Sequence, residues 1–411
     1  MQSFRIEDRH DFASKLRQES EFGRMQAYIN WQRAVRDAKV KGLEAPRMPQ
    51  GWGPLSLNLD LTTACNYACT HCIDWDMLNS RAKYDHEILM KSLWNLIERG
   101  LRSVILIGGG EPTLYPKFGD VVRFLKEHEV QVGIVSNGSR NEKICEIAPV
   151  LVKKDWVRFS LDSGTEKTFA AMHQPKKPIG LEKICSFVPR IRELNPLIAV
   201  GFSYIIVWGG AEREAHVKII PNIGEMVAAA KLAREHSFTY ISFKPFLTRH
   251  PDGAEVMDTA AVLQFNETVA SIREALSEAK LLETEGFKVV ESTNLRVLLE
   301  GNWRDYTRQP HMCHMMAFRQ VLSPLGLYNC PAHRGETKAR MGDPTSYRDE
   351  SSITEFERST TRMLETFDAM HECREVTCLY HSANHMLEGL IDGTLNAADV
   401  EALPDREDYF L

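Results

Sequence analysis

The sequence predicts an α/β fold: a partial (β/α)6 barrel with an N-terminal helical extension before it and a small cysteine-bearing domain after it. Between residues 55 and 247 short apolar runs alternate with amphipathic segments, the pattern of parallel strands joined by crossover helices. The polar and cysteine-rich motifs follow directly after those runs, where a parallel-stranded barrel places its functional loops. Four cysteines late in the chain set off the C-terminal domain. With 411 residues, 43% hydrophobic and 26% charged, the chain has the length for one large domain and a smaller one.

Residues 1–54 read as the helical extension, because Tyr28, Trp31, Val35 and Ala38 share a face before Pro46, Pro49 and Pro54 end the pattern. The barrel, residues 55–250, is expected to hold six strands, at 55–61, 103–107, 131–135, 156–161, 198–207 and 240–245. Between the first two, Asp85 is placed to cap a helix whose Leu89, Leu93, Leu96 and Ile97 share a face, and Gly100 suits a left-handed C-terminal cap. A helical connection over 251–310 includes one or two helices within 254–284 and a possible strand at 287–291. Residues 311–411 form the last domain, with turn chemistry at Ser323-Pro324-Leu325-Gly326. No internal repeat or low-complexity tract interrupts this order.

Composition narrows the function. Fifty Lys and Arg against 56 Asp and Glu give a net charge of −6 without a long basic run, so a nucleic-acid partner is not expected. Charges among the first ten residues stand where a signal peptide needs its apolar core. The longest apolar stretch, 197–211, is broken by glycines and falls short of the roughly 18 residues of a membrane helix. A cytoplasmic protein without membrane contact is expected. Nine cysteines, odd in number and mostly in ligand-like groups, suit metal or cluster binding better than disulfides.

Cys65, Cys69 and Cys72 lie in a C-x3-C-x2-C loop just past the first strand. Three thiolates this close suit an iron-sulfur cluster, whereas zinc would require a fourth ligand and only His71 is at hand. Three ligands on a four-iron cube leave one iron open for a substrate or cofactor. The loop resembles the defining motif of the radical S-adenosylmethionine superfamily. That resemblance implies a TIM-like partial barrel, a 4Fe-4S cluster on the three cysteines, and S-adenosylmethionine chelating the open iron, cleaved reductively to a 5'-deoxyadenosyl radical that takes hydrogen from substrate. It also implies an electron donor such as flavodoxin or ferredoxin. The residue before the third cysteine, commonly aromatic in the family and packed near adenine, is His71 here.

Gly108-Gly109-Gly110-Glu111-Pro112, after the second strand, resembles the family's Gly-Gly-Glu-Pro motif. Glycines there let backbone approach a ligand, and Glu111 is able to accept from a methionyl ammonium. Ser136 and Asn137 after the third strand, and Ser160 and Asp162 at the end of the fourth, resemble positions approaching the ribose or methionyl carboxylate; read from residue type alone they are turn formers and caps. Lys244, at the end of the sixth strand, is expected to point into the barrel mouth, and Tyr204 and His333 are further places to look for pocket residues.

Cys313, Cys330, Cys373 and Cys378 form the second group, with Cys330 closing a segment that resembles the hairpin of twitch and SPASM auxiliary-cluster domains. The resemblance implies one further 4Fe-4S cluster, since the seven cysteines of a full SPASM domain are absent. The rival is a structural zinc on the same four, or with His314 or His381 replacing one. Cys145 and Cys185 read as plain buried cysteines in helices.

An auxiliary cluster that accepts the electron left on a substrate radical implies net oxidation, a dehydrogenation or bond formation on a small polar molecule such as a sugar alcohol or aminocyclitol. Alternatives are a redox-neutral epimerase, a peptide-modifying maturase, and a non-catalytic cluster-binding sensor. The maturase lacks support from any pattern resembling the winged-helix recognition domain of peptide-modifying relatives; intact Gly-Gly-Glu-Pro chemistry argues against the sensor.

Overall fold

The computed structural model of the protein describes residues 11–213, 217–250 and 253–411. The chain divides into two compact units: among the described residues the first holds 59–83 and 105–303, the second 11–58, 84–104 and 304–411. Strands β1 (Ser56–Leu59) and β2 (Ser103–Leu106) are each cut by the boundary.

The first unit is built on a sheet that runs, in chain order, β2, β3 (Gln131–Ser136), β4 (Trp156–Ser160), β5 (Ala199–Ile206), β6 (Tyr240–Pro245) and β7 (Lys288–Glu291). From β3 to β7 every neighbouring pair is parallel. Helices cross between strands: α4 (Phe118–Glu127), α5 (Asn141–Ile147), α6 (Glu166–His173), α7 (Leu181–Cys185), α8 (Val188–Leu194), α9 (Met226–Glu235) and α10 (Phe265–Lys280). The expected strands are all present, trimmed by a residue or two at several ends. The stretch at 287–291 is a full partner of β6, so the parallel run continues one strand beyond the sixth. One helix, α10, occupies the region where one or two were expected, and α11 (Thr293–Glu300) follows β7.

Side chains along a strand alternate between faces, so residues in register share a face. Val157, Phe159, Val200, Phe202, Ile241 and Phe243 are fully buried on one face, where the Phe238 ring meets those of Phe159 and Phe202. The opposite face is polar, carrying Arg158 and Ser160 on β4, Ser203 on β5, and Tyr240, Ser242 and Lys244 on β6. A fully apolar second face is the usual mark of a sheet covered on both sides.

In the second unit, α1 (Phe12–Leu16) and α2 (Glu19–Lys41) account for the N-terminal extension, and Tyr28, Trp31 and Val35 are buried as their spacing requires. The Asp85 carboxylate accepts from the Glu87 and Ile88 amides at the start of α3 (His86–Glu98), and Gly100 is left-handed at φ +87°. Strands β8 (Arg319–Ser323), β9 (Gly326–Tyr328) and β10 (Arg340–Gly342) form an antiparallel meander whose first turn is Pro324-Leu325. Three helices follow: α12 (Glu350–Thr366), α13 (Ala369–Glu372) and α14 (His381–Asp392). No helix among the described residues is long and apolar enough to cross a membrane.

A buried chain of hydrogen bonds joins α2 to α14. The His314 ring has Nδ1 at 2.9 Å from the Tyr28 hydroxyl and Nε2 at 2.7 Å from Glu388 Oε2, which also accepts from Arg36 at 2.7 Å. The hydrogen bond from His314 leads the causes that hold the Glu388 carboxyl down at about 2, while burial lowers His314. A carboxyl depressed on folding stabilises the folded state above its ordinary pKa, and that contribution is lost as pH falls through the folded value. Thermal melts should therefore show Glu388→Gln less stable than the parent by about 1 kcal/mol at neutral pH. Between pH 4.5 and about 2 the two curves should converge, and a constant gap would refute the linkage.

Candidate functional site

In the first unit the loop after β1 and the turn after β2 are built against each other. Gly108 and Gly109 take φ of +63° and +59°, which bends the chain sharply at the strand end. Gly110 lies so close to the cysteine loop that a Cβ would come within 2.5 Å of the Ala64 carbonyl oxygen and 2.6 Å of that of Thr62. The next amide, Glu111 N, donates to the Ala64 carbonyl at 2.9 Å.

The buried Glu111 side chain then ties this turn to the end of β3. Its Oε1 accepts from the Thr113 amide (3.1 Å), the Thr113 hydroxyl (2.6 Å) and the Ser136 hydroxyl (2.8 Å), and its Oε2 from the Asn137 amide (2.7 Å). Burial raises its pKa, and these donors oppose the rise. Oε2, with one donor, retains accepting capacity for a ligand ammonium. Asn137 Nδ2 donates to Asn66 Oδ1 at 2.9 Å inside the cysteine loop, and Asn66 Nδ2 donates to Ser139 Oγ at 2.9 Å. Ser136 and Asn137 thus act on the loop that carries Cys65, Cys69 and Cys72.

The far side of the loop rests on the end of α6, where the Ala68 and Thr70 amides donate to the His173 and Met172 carbonyls. His173, which nothing in the sequence singled out, has Nδ1 3.3 Å from Cys69 Sγ and Nε2 3.0 Å from the Leu161 carbonyl oxygen. Burial, with His71 beside it, lowers its pKa to about 4. His71 is buried, its Nε2 3.0 Å from Asp162 Oδ2 and its ring edge-on to His173. Asp162, left-handed at φ +51°, uses Oδ1 to accept from the Ile205 amide at 2.7 Å. These contacts hold His71 and Asp162 to one another.

Burial raises all three loop thiols, Cys72 to about 12, and Cys69 is pushed further by the Cys72 and Cys65 thiols next to it. Three crowded thiols raised in this way stay protonated until a cation takes the place of the protons, which is the chemistry of an iron-sulfur ligand set. The residues fit a three-cysteine cluster.

Of the remaining expected residues in this unit, Ser160 and Lys244 lie half-buried on the polar face of the sheet. Tyr204 does not join them. It lies on the apolar face, fully buried, and its hydroxyl donates to the Asn222 carbonyl at 2.6 Å. A residue one step along a strand from a polar-face position is turned away by the pleat.

In the second unit Cys313, Cys330, Cys373 and Cys378 line one cavity with Arg319, Asn329, His333 and Tyr380. Burial raises the Cys313, Cys373 and Cys378 thiols, Cys313 to about 12, and the neighbouring Cys330 adds to the rise in each. His333 Nε2 is 3.4 Å from Cys373 Sγ. Two further wall residues are buried without full satisfaction. Arg319 donates to Asn58 Oδ1 at 2.9 Å while its Nε and Nη1 have no acceptor among the described residues, and both polar atoms of the Asn329 amide lack partners there. Buried donors are rarely left unmade. Sulfur-rich anionic ligands would accept from them, so the donor set fits a metal-thiolate centre. Neither His314, whose two ring nitrogens are engaged, nor His381 lines the cavity.

Overlap of a methyl group with two backbone oxygens should make Gly110→Ala cost on the order of 1–3 kcal/mol, concentrated in the cysteine loop. After anaerobic reconstitution this variant should lose the iron bound by Cys65, Cys69 and Cys72 while keeping its far-ultraviolet circular dichroism; full iron content would refute the clamp.

Residues 59–202 match the family model of the Radical SAM superfamily. The chain is 27% identical to an S-adenosylmethionine-dependent nucleotide dehydratase of Selenomonas ruminantium over 57% of its own length and 89% of that protein. It is 31% identical to the mycofactocin maturase MftC of Mycobacterium ulcerans over 45% of its own length, a match that spans only 46% of the maturase. A crystal structure of Streptococcus suis SuiB bound to precursor peptide SuiA superposes with a TM-score of 0.55 over 85% of this chain and 75% of that one, at 12% identity, a likeness of fold. The cysteine loop and the glycine–glutamate turn that clamps it lie within the matched segment and the parallel sheet beneath them continues it, so residues 59–202 of this chain form a Radical SAM domain.

Proposed function

We propose that this enzyme abstracts hydrogen from a small polar substrate and oxidises it, by dehydrogenation or bond formation, passing the surplus electron to an auxiliary 4Fe-4S cluster. A cluster on Cys65, Cys69 and Cys72, charged with S-adenosylmethionine and an electron from a flavodoxin- or ferredoxin-like donor, supplies the 5'-deoxyadenosyl radical. Cys313, Cys330, Cys373 and Cys378 hold the acceptor in a twitch/SPASM-like domain over 311–411. The observation that carries this reading is the cavity on which those four thiols converge, with Arg319 and Asn329 turned to it as unsatisfied donors. Zinc on the same thiols would leave the electron without an acceptor.

Epimerisation requires a thiol or other hydrogen donor beside the substrate. Besides the loop cysteines, the first unit's described thiols are Cys145 on α5 and fully buried Cys185 on α7, both on helices and away from the sheet's polar face. A peptide-modifying reaction is the second reading, favoured by the similarity to MftC.

Two measurements test the proposal. Reconstituted, reduced protein should release 5'-deoxyadenosine from S-adenosylmethionine, and deuterium at the attacked carbon should pass into it; absence of release with every candidate substrate sinks the enzyme reading. Replacing Cys65, Cys69 and Cys72 by Ala together should leave one cluster's iron on the protein, and additional Cys313→Ala and Cys373→Ala should remove it. Zinc in place of that residual iron would end the electron-acceptor role.

A further inference from the structure

The polar face of the first unit's sheet carries a row of groups that the protein does not satisfy. Ser160, Ser203 and Ser242 are direct register neighbours across β4, β5 and β6. Ser203 is 4% and Ser242 6% exposed, yet among the described residues none of the three hydroxyls has a hydrogen-bond partner. Two residues further along β6 stands Lys244, and two residues back along β4 stands Arg158, in register with Gly201 and Tyr240.

The two basic residues stand on opposite sides of the serine rung, four rungs apart, about 13 Å along the strands at roughly 3.3 Å per residue, and the Arg158 guanidinium lies over the Trp156 ring, 5.3 Å from its centroid. Neither forms an ion pair among the described residues, and Arg158 Nε is buried without an acceptor. The neighbouring carboxylate, Asp162, is already taken by the Ile205 amide and His71. Gly201 makes room for the Tyr240 ring, which lies where its Cβ would be, 2.1 Å from the nearest ring atom, and so borders the row on the Arg158 side. Burial and then Arg158 depress the Lys244 ammonium well below its ordinary range, with Asp162 opposing. Like charges at low dielectric repel one another, which disfavours the Lys244 ammonium beside Arg158, and an anion between the two would restore it.

We propose that this rung anchors the substrate and that the substrate carries an oxyanion, a carboxylate or phosphate, held between Lys244 and Arg158 over the hydroxyls of Ser203, Ser242 and Ser160. The inference rests on the first unit's sheet being the substrate-bearing surface, and it narrows the polar substrate to an acid and excludes a cationic aminocyclitol. The residues expected to meet S-adenosylmethionine lie at or beyond the strand ends, and only Ser160 belongs to both sets.

Binding is measurable on reconstituted, unreduced protein, so its outcome is independent of whether radical chemistry or the second cluster proves correct. Calorimetric titration with inorganic phosphate and with acetate, in the presence of S-adenosylmethionine, should show saturable binding of at least one anion. Tighter phosphate binding assigns a phosphorylated substrate, and tighter acetate binding a carboxylic acid. Lys244→Met and Arg158→Met should each weaken that binding about tenfold or more, the loss of a charge-assisted hydrogen bond, while S-adenosylmethionine affinity stays within about twofold. The double variant Ser203→Ala/Ser242→Ala, which removes no charge, should weaken it several-fold with an unchanged melting temperature and iron content. The proposal is overturned if neither anion binds, or if the lysine and arginine variants lose S-adenosylmethionine instead.

Discussion

Glu111 is the constraint on which the first unit's chemistry rests. A carboxylate buried this deeply is unfavourable unless hydrogen bonds replace its water, and four donors from Thr113, Ser136 and Asn137 do so. In being satisfied, it draws the ends of β2 and β3 together. The neighbouring Gly110 allows the cysteine loop to lie against that junction, and Asn137 reaches on to Asn66 within the loop. Three thiols are thereby held close enough to raise one another's pKa, a state that a cationic centre relieves. Placement of the thiols is the protein's contribution; the hard chemistry belongs to what they bind.

Buried polar groups divide into two kinds in this molecule. Glu111, His314 and Asp162 are matched by protein partners and hold elements together. Arg319 and Asn329 in the second unit, and Arg158, Lys244 and the serine rung in the first, are buried or half-buried and carry polar atoms with no hydrogen-bond partner among the described residues. Leaving such groups unpaired costs stability, which makes the two places they line candidates for a ligand. In each place the polarity is that of donors and cations, which suits an anionic occupant.

Much of the site was legible before any coordinates. Short motifs carry their own geometry: C-x3-C-x2-C confines three thiols to one loop, and Gly-Gly-Gly-Glu-Pro at a strand end predicts a turn of positive φ, observed at Gly108 and Gly109. The serine rung was legible in principle as well. In Trp-Val-Arg-Phe-Ser, Val-Gly-Phe-Ser-Tyr and Ile-Ser-Phe-Lys the apolar residues alternate with the polar ones, which assigns Arg158, Ser160, Ser203, Ser242 and Lys244 to one face and turns Tyr204 to the other.

Local sequence by itself determined the strands, their faces, the helix caps at Asp85 and Gly100 and the three-cysteine loop, because each depends on residues a few positions apart. Register and long-range packing were decided only by the tertiary structure. Nothing within β4, β5 or β6 says that Ser160, Ser203 and Ser242 stand side by side, since a shift of two residues would preserve every face and break the row. His173 reaches Cys69 across 104 residues, and Cys373 and Cys378 join Cys313, Arg319, Asn329 and Cys330 in one cavity from a segment distant in sequence. Such contacts follow from how the elements pack, and no short-range periodicity encodes them.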